Sequence, residues 1–429
     1  MLMWANLRLL ILATASLASL TQARTQARTQ AVQQHQTPTN PTTTRSVTIS
    51  NVHNRYNVSG NIMDAHDGTY NKWSNAPDAP WYYYAMGYGD CHQDQDLCNG
   101  QTRCGYGYSW IGVWTSPDLS NNSWTLVREA RDDTWPTCVY FRVHTIYNAH
   151  TKQYVMWANL NNNGATSGDC LHADYAVGTS TSPAGPFTYV HGIKAGRGSH
   201  GGDFDLFVDD DDVAYLIYTD VAGGHTMAVE RLTEDYLQSA ATKSGSAASN
   251  VSSGVFGNVF VEAPAMFKRK GVYYALFGNC CCFCGQGSGI GVYTSATSPL
   301  GPWVYHDNVG CNANTTLTPG CGCGMDHDIG GGSVGGGSVG EDRVGGGGSG
   351  ATCSFYGDSL TRAQQNFVIR VPQVDGSVEY VWTGDRWQSA NDGVKAHDLQ
   401  YWSVLKFTEI NGIELPVQFV WEDEIVVHV

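Results

Sequence analysis

The chain is short of charge. Only 15% of its residues are charged, and basic residues are the scarcer kind, 24 Lys and Arg against 39 Asp and Glu, for a formal net charge of -15. That balance argues against a nucleic-acid partner or an anionic membrane surface. Long hydrophobic runs are as scarce. The apolar stretch from Leu9 to Leu20 is too short to span a bilayer comfortably. With Arg8 ahead of it and Thr21-Gln22-Ala23 behind, it reads as a secretory signal over residues 1–23. No other segment is long and apolar enough to cross a membrane. A secreted, extracellular product is therefore expected, with a vacuole or cell wall as alternative destinations. Long amphipathic helical patterns are absent too. So are a C-x2-C pair set for zinc and the Gly-Lys-Ser/Thr ending of a phosphate loop.

Other features are abundant. Thirteen cysteines in a secreted chain read as disulfides, with the odd count leaving at least one free or paired between chains. Four sequons, at Asn57, Asn121, Asn250 and Asn314, fit a glycoprotein. The 13 Trp and 23 Tyr on a framework with 50 Gly suit sheet structure. They also suit carbohydrate binding, where flat rings meet sugar faces. Residues 24–45 are polar and repetitive and read as a disordered tether.

From Ser46 onward an aromatic strand is followed by a Val-x-Thr-Ser strand and a turn. The aromatic runs begin at Trp81, Tyr154, Tyr215, Tyr273 and Glu379. Each copy holds only short strands, which means radial repetition of small sheets. The expectation is an all-β chain: a five-bladed β-propeller over residues 46–429, each blade a four-stranded antiparallel sheet. A Gly-rich tract, 326–352, reads as a flexible insertion. Its Gly331-Gly332-Ser333-Val334-Gly335 matches a serine-hydrolase motif by letter but lacks the strand-to-helix elbow.

In such a ring the first strand of each blade lines a central cleft. The first blade offers Asp64, His66 and Asp67, and alternation puts Asp64 and His66 on one face. The third offers Asp203 and Asp205, the fourth Glu262, and the fifth Gln364 and Gln365. Each acid alone reads equally as a solvated strand end. Together, acids from three blades supply what glycoside hydrolysis needs: a proton donor, a water activator and a group that tunes the donor. Asp209 to Asp212 read as a hairpin turn, with structural calcium the alternative. Asp326-His327-Asp328 holds a single His and is a weak metal site. No cofactor is expected.

Asp203-Phe204-Asp205-Leu206-Phe207-Val208-Asp209-Asp210-Asp211, with Glu262-Ala263-Pro264-Ala265-Met266-Phe267, resembles glycoside hydrolase family 43. Gly384-Asp385-Arg386-Trp387 after Val381-Trp382 resembles its exo-β-1,3-galactanase branch. The resemblance implies an inverting enzyme on a five-bladed propeller. It makes Glu262 the general acid and Asp203 its modulator, and sets Gln364 or Gln365 near the attacking water. Most of the family has a base Asp on the first inner strand, a residue the galactanase-like branch lacks. Asp64 is the choice here, with Asp67 or a Gln-assisted water as alternatives. His66, Asp385, Arg386 and Trp387 would shape the sugar subsite. The branch carries a Glu ahead of an Arg-Pro pair where this chain has Phe141-Arg142-Val143. The expected substrate is a wall-type polysaccharide or oligosaccharide such as β-linked galactan, cleaved by an exo-acting enzyme. An arabinofuranosidase, a β-xylosidase and a catalytically silent sugar-binding propeller are the rivals. Nothing in the sequence bears on oligomeric state.

Overall fold

A computed structural model describes residues 45–429, apart from 77, 93–108, 162–168, 197–199, 243–250, 254–255, 257–260, 280–286 and 312–359. The signal segment, the tether up to 44, the Gly-rich tract, the sequons at Asn250 and Asn314, and nine cysteines lie outside the described residues. Among the described residues helix is confined to Asp169–His172 and two short 3-10 turns. No helix there is long and apolar enough to cross a membrane.

The strands form successive antiparallel meanders. The first contains His66–Lys72, Trp81–Gly87, Trp110–Ser116 and Thr125–Glu129. The second contains Val139–Asn148, Gln153–Asn161, Tyr175–Ser180 and Thr188–Ile193. One parallel bridge, Gly68 to Val143, joins these two into a continuous eight-stranded sheet. Gly201–Val208, Ala214–Asp220, Thr226–Arg231 and Val251–Ser253 make the third meander. Val261–Arg269, Val272–Asn279, Gly291–Ser295 and Val304–Asn308 make the fourth. In all of them the aromatic runs form second strands, where ring-bearing and β-branched side chains suit a pleated surface buried on both faces.

The fifth sheet departs from the expected four strands. Among the described residues it holds three: Gln364–Pro372, Val378–Arg386 and Leu399–Val404. Val417 to Trp421 is irregular. The chain instead turns back through a hairpin, Phe407–Ile410 with Ile413–Pro416, that packs on the fourth sheet. There Glu414 pairs with Arg269 at 3.0 Å and Lys270 at 2.9 Å.

The five first strands neighbour one another in sequence, and the fifth meets the first, so they close a ring. The apolar core is divided accordingly. Five clusters lie between consecutive sheets, among them Tyr84 and Met86 with Val143 and Met156, and Phe267 and Tyr274 with Tyr380 and Trp382. The cluster between fifth and first sheets includes Val47, Ile49, Ile425 and Val427. These come from the two chain ends, Ser46–Ser50 paired with Glu424–His428. Asn51 fastens this pair to the fifth sheet. Its side chain accepts from Trp402 N at 2.8 Å and donates to the Trp402 carbonyl at 2.9 Å, as a neighbouring strand would, and it donates to Glu422 O.

A disulfide, Cys138–Cys170, ties the residue just ahead of the second sheet's first strand to the short helix. Cys91 and Cys311 are also disulfide-bonded. Asp209 to Asp212 form the hairpin turn, with Asp209 and Asp210 on Lys268 Nζ at 2.7 and 2.8 Å.

Replacing Asn51 with Ala removes three hydrogen bonds, two of them buried, and leaves the Trp402 N–H unpaired. The expected loss is about 2–4 kcal/mol, read as a lowered denaturation midpoint with an unchanged denaturant slope.

Candidate active site

Each first strand loses register once near its start. The shifts fall between His66 and Thr69, Phe141 and Val143, Gly201 and Phe204, Glu262 and Ala265, and Gln365 and Phe367. Such bulges bend a strand and re-aim its side chains. Asp67, Arg142 and Ala263 there take left-handed φ angles of 53°, 41° and 59°. Conformations of this kind cost about 1–3 kcal/mol each and persist only where the surroundings enforce them. At Gly68 a Cβ would fall 1.8 Å from the Tyr84 carbonyl oxygen, so only glycine fits beside the second strand.

The bulges gather charge around Arg142. Its guanidinium is fully buried and lies 3.0 Å from Asp67 Oδ1 and 3.3 Å from Asp203 Oδ2. It also donates to the carbonyls of Gln365 and Asn366. Burial works against its charge, but Asp203 and Asp67, with Asp385 and Glu262 beyond, outweigh burial and hold its pKa above the usual arginine value. Asp67 Oδ2 accepts the Arg142 backbone N–H at 3.2 Å. Asp67 Oδ1 is ion-paired without hydrogen-bond alignment. Burial, then the charges of Asp203 and Asp385, push the Asp67 carboxyl up to about 7 against the pull of Arg142.

Glu262 is 9% exposed and accepts from Gln364 Nε2 at 2.7 Å. Asp203 is more open, with its side chain 21% exposed. Asp203 and Asp205 stand two residues apart, a spacing that strict alternation would put on one face. The bulge between Gly201 and Phe204 interrupts that alternation. Asp205 is wholly buried, accepting from His144 Nδ1 at 2.8 Å and from Met266 N at 2.8 Å. It thereby ties the second, third and fourth first strands. Burial, despite Asp205, lowers the His144 pKa.

Asp64 is engaged within its own sheet. It accepts from Tyr88 N at 2.7 Å, Gly89 N at 2.8 Å and Trp110 Nε1 at 3.0 Å. Asp64 precedes the bulge and Asp67 is part of it, so it is Asp67 that meets Arg142. The two glutamines also separate. Gln364 touches Glu262, whereas Gln365 is locked between the Leu276 carbonyl and the Trp382 indole. His66 sets Nδ1 on Asp385 at 3.0 Å and Nε2 on the Ala396 carbonyl at 3.2 Å. A carbonyl only accepts, so Nε2 carries a proton. Burial opposes the imidazolium, yet Asp385 raises the His66 pKa. Asp385 also accepts the Asp67 N–H at 3.0 Å and so holds the bulge. Arg386 turns to the Asn51 carbonyl and the Trp421 ring. Trp387 is buried behind Gln364.

Sequence reasoning named Arg142 only as part of a departure from a motif. The available signal was a lone guanidinium in the otherwise apolar run Val139-Tyr140-Phe141-Arg142-Val143. Among the described residues no cluster of His, Cys, Asp or Glu could hold a metal ion.

Carboxylates drawn from separate sheets of an all-β ring are the equipment of a glycoside hydrolase, and that is the class of this protein. Residues 91–320, more than half of the chain, match the model of the glycosyl hydrolases family 43, and the chain belongs to that family. Solved structures share its β-propeller fold. An exo-β-1,3-galactanase from Phanerochaete chrysosporium is 20% identical with a TM-score of 0.57, over 88% of this chain and 68% of that one. One from Clostridium thermocellum is 22% identical with a TM-score of 0.58, over 84% and 63%. This chain thus spans less than two thirds of the Clostridium chain's length. A family 43 β-1,3-galactosidase, solved with galactodeoxynojirimycin, is 20% identical with a TM-score of 0.58, over 87% and 99%. No curated protein matches the sequence.

Two outcomes follow from the Asp67–Arg142–Asp203 cluster. The folded chain keeps a proton on Asp67 up to about pH 7, whereas the ordinary Asp value is 3.8. Stability therefore falls as pH rises through that window, and Asp67→Asn removes this part of the slope in unfolding measured at pH 5 and pH 8. Arg142→Met strands two carboxylates and lowers stability by about 3–5 kcal/mol. The loss is larger at pH 8, above the Asp67 value of about 7, where the ionised Asp67 carboxylate has lost its counter-charge.

Proposed function

We propose that the chain is a secreted, exo-acting, inverting hydrolase of β-linked galactan or a related wall polysaccharide, its five sheets serving as five propeller blades. Glu262 is the general acid and Asp203 its modulator. Asp67, rather than Asp64, is the base. The observation that carries this reading is the meeting of Asp67 and Asp203 on Arg142, whose charge also senses Glu262. An inverting mechanism needs an acid and a base on opposite sides of the scissile bond, separated by about 6.5–9.5 Å. A carboxylate whose pKa is held at about 7 is matched to taking a proton from water near neutral pH. Gln364 stands on the acid and Asp385 holds the base. His66 keeps Asp385 in place. The galactan preference leans on the structural likeness to exo-β-1,3-galactanases and on Gly384-Asp385-Arg386-Trp387.

One observation favours a rival. The ion pair from Arg142 to Asp67 would quench a base, as in a catalytically silent sugar-binding propeller. Turnover decides between them. β-1,3-galactan, arabinan and xylan oligosaccharides are to be tested with wild type, Glu262→Gln, Asp67→Asn and Asp64→Asn. Galactan turnover with an inverted anomeric product is expected. Glu262→Gln and Asp67→Asn should each lower kcat by roughly 10²–10⁴-fold, while Asp64→Asn chiefly lowers stability. Because Asp67 must be ionised to act, kcat/KM should rise as pH rises through about 7. Sugar binding without turnover by wild type would favour the silent propeller. Full activity in Asp67→Asn would return the base role to Asp64 or to a Gln-held water.

Glycosylation would be selective. Asn57 caps an exposed turn through its Oδ1, whereas both ends of the Asn121 amide are bonded to Ser50. Peptide mapping of protein from a glycosylating host should find sugar on Asn57 and none on Asn121.

A further inference from the structure

Trp387 sits behind Gln364, the residue that touches Glu262. Its indole N–H donates to Gln364 Oε1 at 2.6 Å, and Gln364 Nε2 donates to Glu262 Oε1 at 2.7 Å. An indole nitrogen is a donor only. It can therefore face only the oxygen end of the amide, which leaves the NH2 end for Glu262. A reversed amide would oppose two donors at Trp387.

The indole is itself gripped. Lys395 Nζ lies 3.7 Å from its ring centroid and 4.9 Å from that of Tyr88. The Tyr88 and His66 rings meet Trp387 at 5.7 and 5.5 Å. Lys395 is anchored by its own N–H on the Cys91 carbonyl at 2.7 Å. Trp387, Lys395 and Gln364 are all buried. A cation over the ring face attracts the ring and holds it in place.

We propose that Trp387 and Lys395 are positioning residues for the acid. They fix the Gln364 amide with its NH2 toward Glu262, an inference that rests on the reading of Glu262 as the acid. A donated hydrogen bond favours the ionised carboxylate, so it eases delivery of the proton to the leaving oxygen. Reversed, the amide oxygen would accept from protonated Glu262 and retain that proton. The other charged groups around the acid are Arg142, which senses Glu262, and Asp67 and Asp203, which sit on Arg142. His225 adds the carbonyl that accepts the Val261 N–H. The variants below leave all of these unchanged.

Trp387→Phe keeps an aromatic ring against Lys395 and removes the N–H along with the second ring of the indole. Carbon-13 NMR of glutamate-labelled protein, assigned with Glu262→Gln, follows the Glu262 titration directly. The midpoint should rise by about one pH unit, roughly a tenfold change in the acid dissociation constant. The alkaline limb of kcat/KM should move with it. Lys395→Met should shift the midpoint in the same direction, and Lys395→Arg should restore it. A folded Trp387→Phe protein with an unmoved midpoint overturns the proposal. Should Trp387→Phe fail to fold, the Lys395 pair decides: a rise in Met restored in Arg supports the proposal, and no movement in either overturns it. An inactive wild type would overturn the acid reading alone, because the titration still reports which end of the amide faces Glu262.

Discussion

At the head of each first strand the ladder slips by one residue, and the polar centre is assembled from those slips. A strictly alternating strand sends every second side chain into the apolar layer between sheets. The bulge frees one residue from that rule. Asp67, Arg142 and Asp203 reach one another because each sits in such a register shift, on three different strands. The left-handed backbone at Asp67 and Arg142 is the strain this placement requires. Asp385, accepting the Asp67 N–H, helps to hold it.

Charge at the centre is balanced across sheets rather than within them. A buried arginine unaccompanied would be costly, as would two buried carboxylates. Together they are tolerable, with burial, then Asp203 and Asp385, holding the Asp67 carboxyl up at about 7 against the pull of Arg142. Asp205 does similar work one layer further in, joining His144 and a Met266 N–H. The polar groups thus lock neighbouring first strands to each other, while the apolar clusters lock neighbouring sheets.

Much of the fold was legible in the sequence because aromatic and β-branched runs mark second strands and Val-x-Thr-Ser marks third strands. Where Pro416 ends a hairpin strand, the expected fourth strand of the last sheet gave way, and the chain ends came to lie beside that sheet. The acids were legible as a set, since Asp203 and Glu262 stand in apolar surroundings. Their partners were not. Which of Asp64 and Asp67 meets Arg142 was hidden as well, because alternation assumes a period of two and a bulge is a break in that period that depends on neighbouring strands. Arg142 was obscured for the same reason: its role exists only once Asp67 and Asp203, 75 and 61 residues away, are beside it. Gln364 and Gln365 are adjacent in sequence, and only tertiary packing tells them apart.

The pairing of the two chain ends bears on how the molecule comes to be folded. Asn51 bonds to Trp402 and Glu422 across 351 and 371 residues of sequence. Contacts of that separation form late, since loop closure must precede any return from them. During synthesis the first sheet waits, with Val47 and Ile49 lacking their partners, until Glu424–His428 has emerged. A chain halted before Glu424 leaves Ser46–Ser50 without its partner strand, an open edge of the kind through which sheet proteins aggregate.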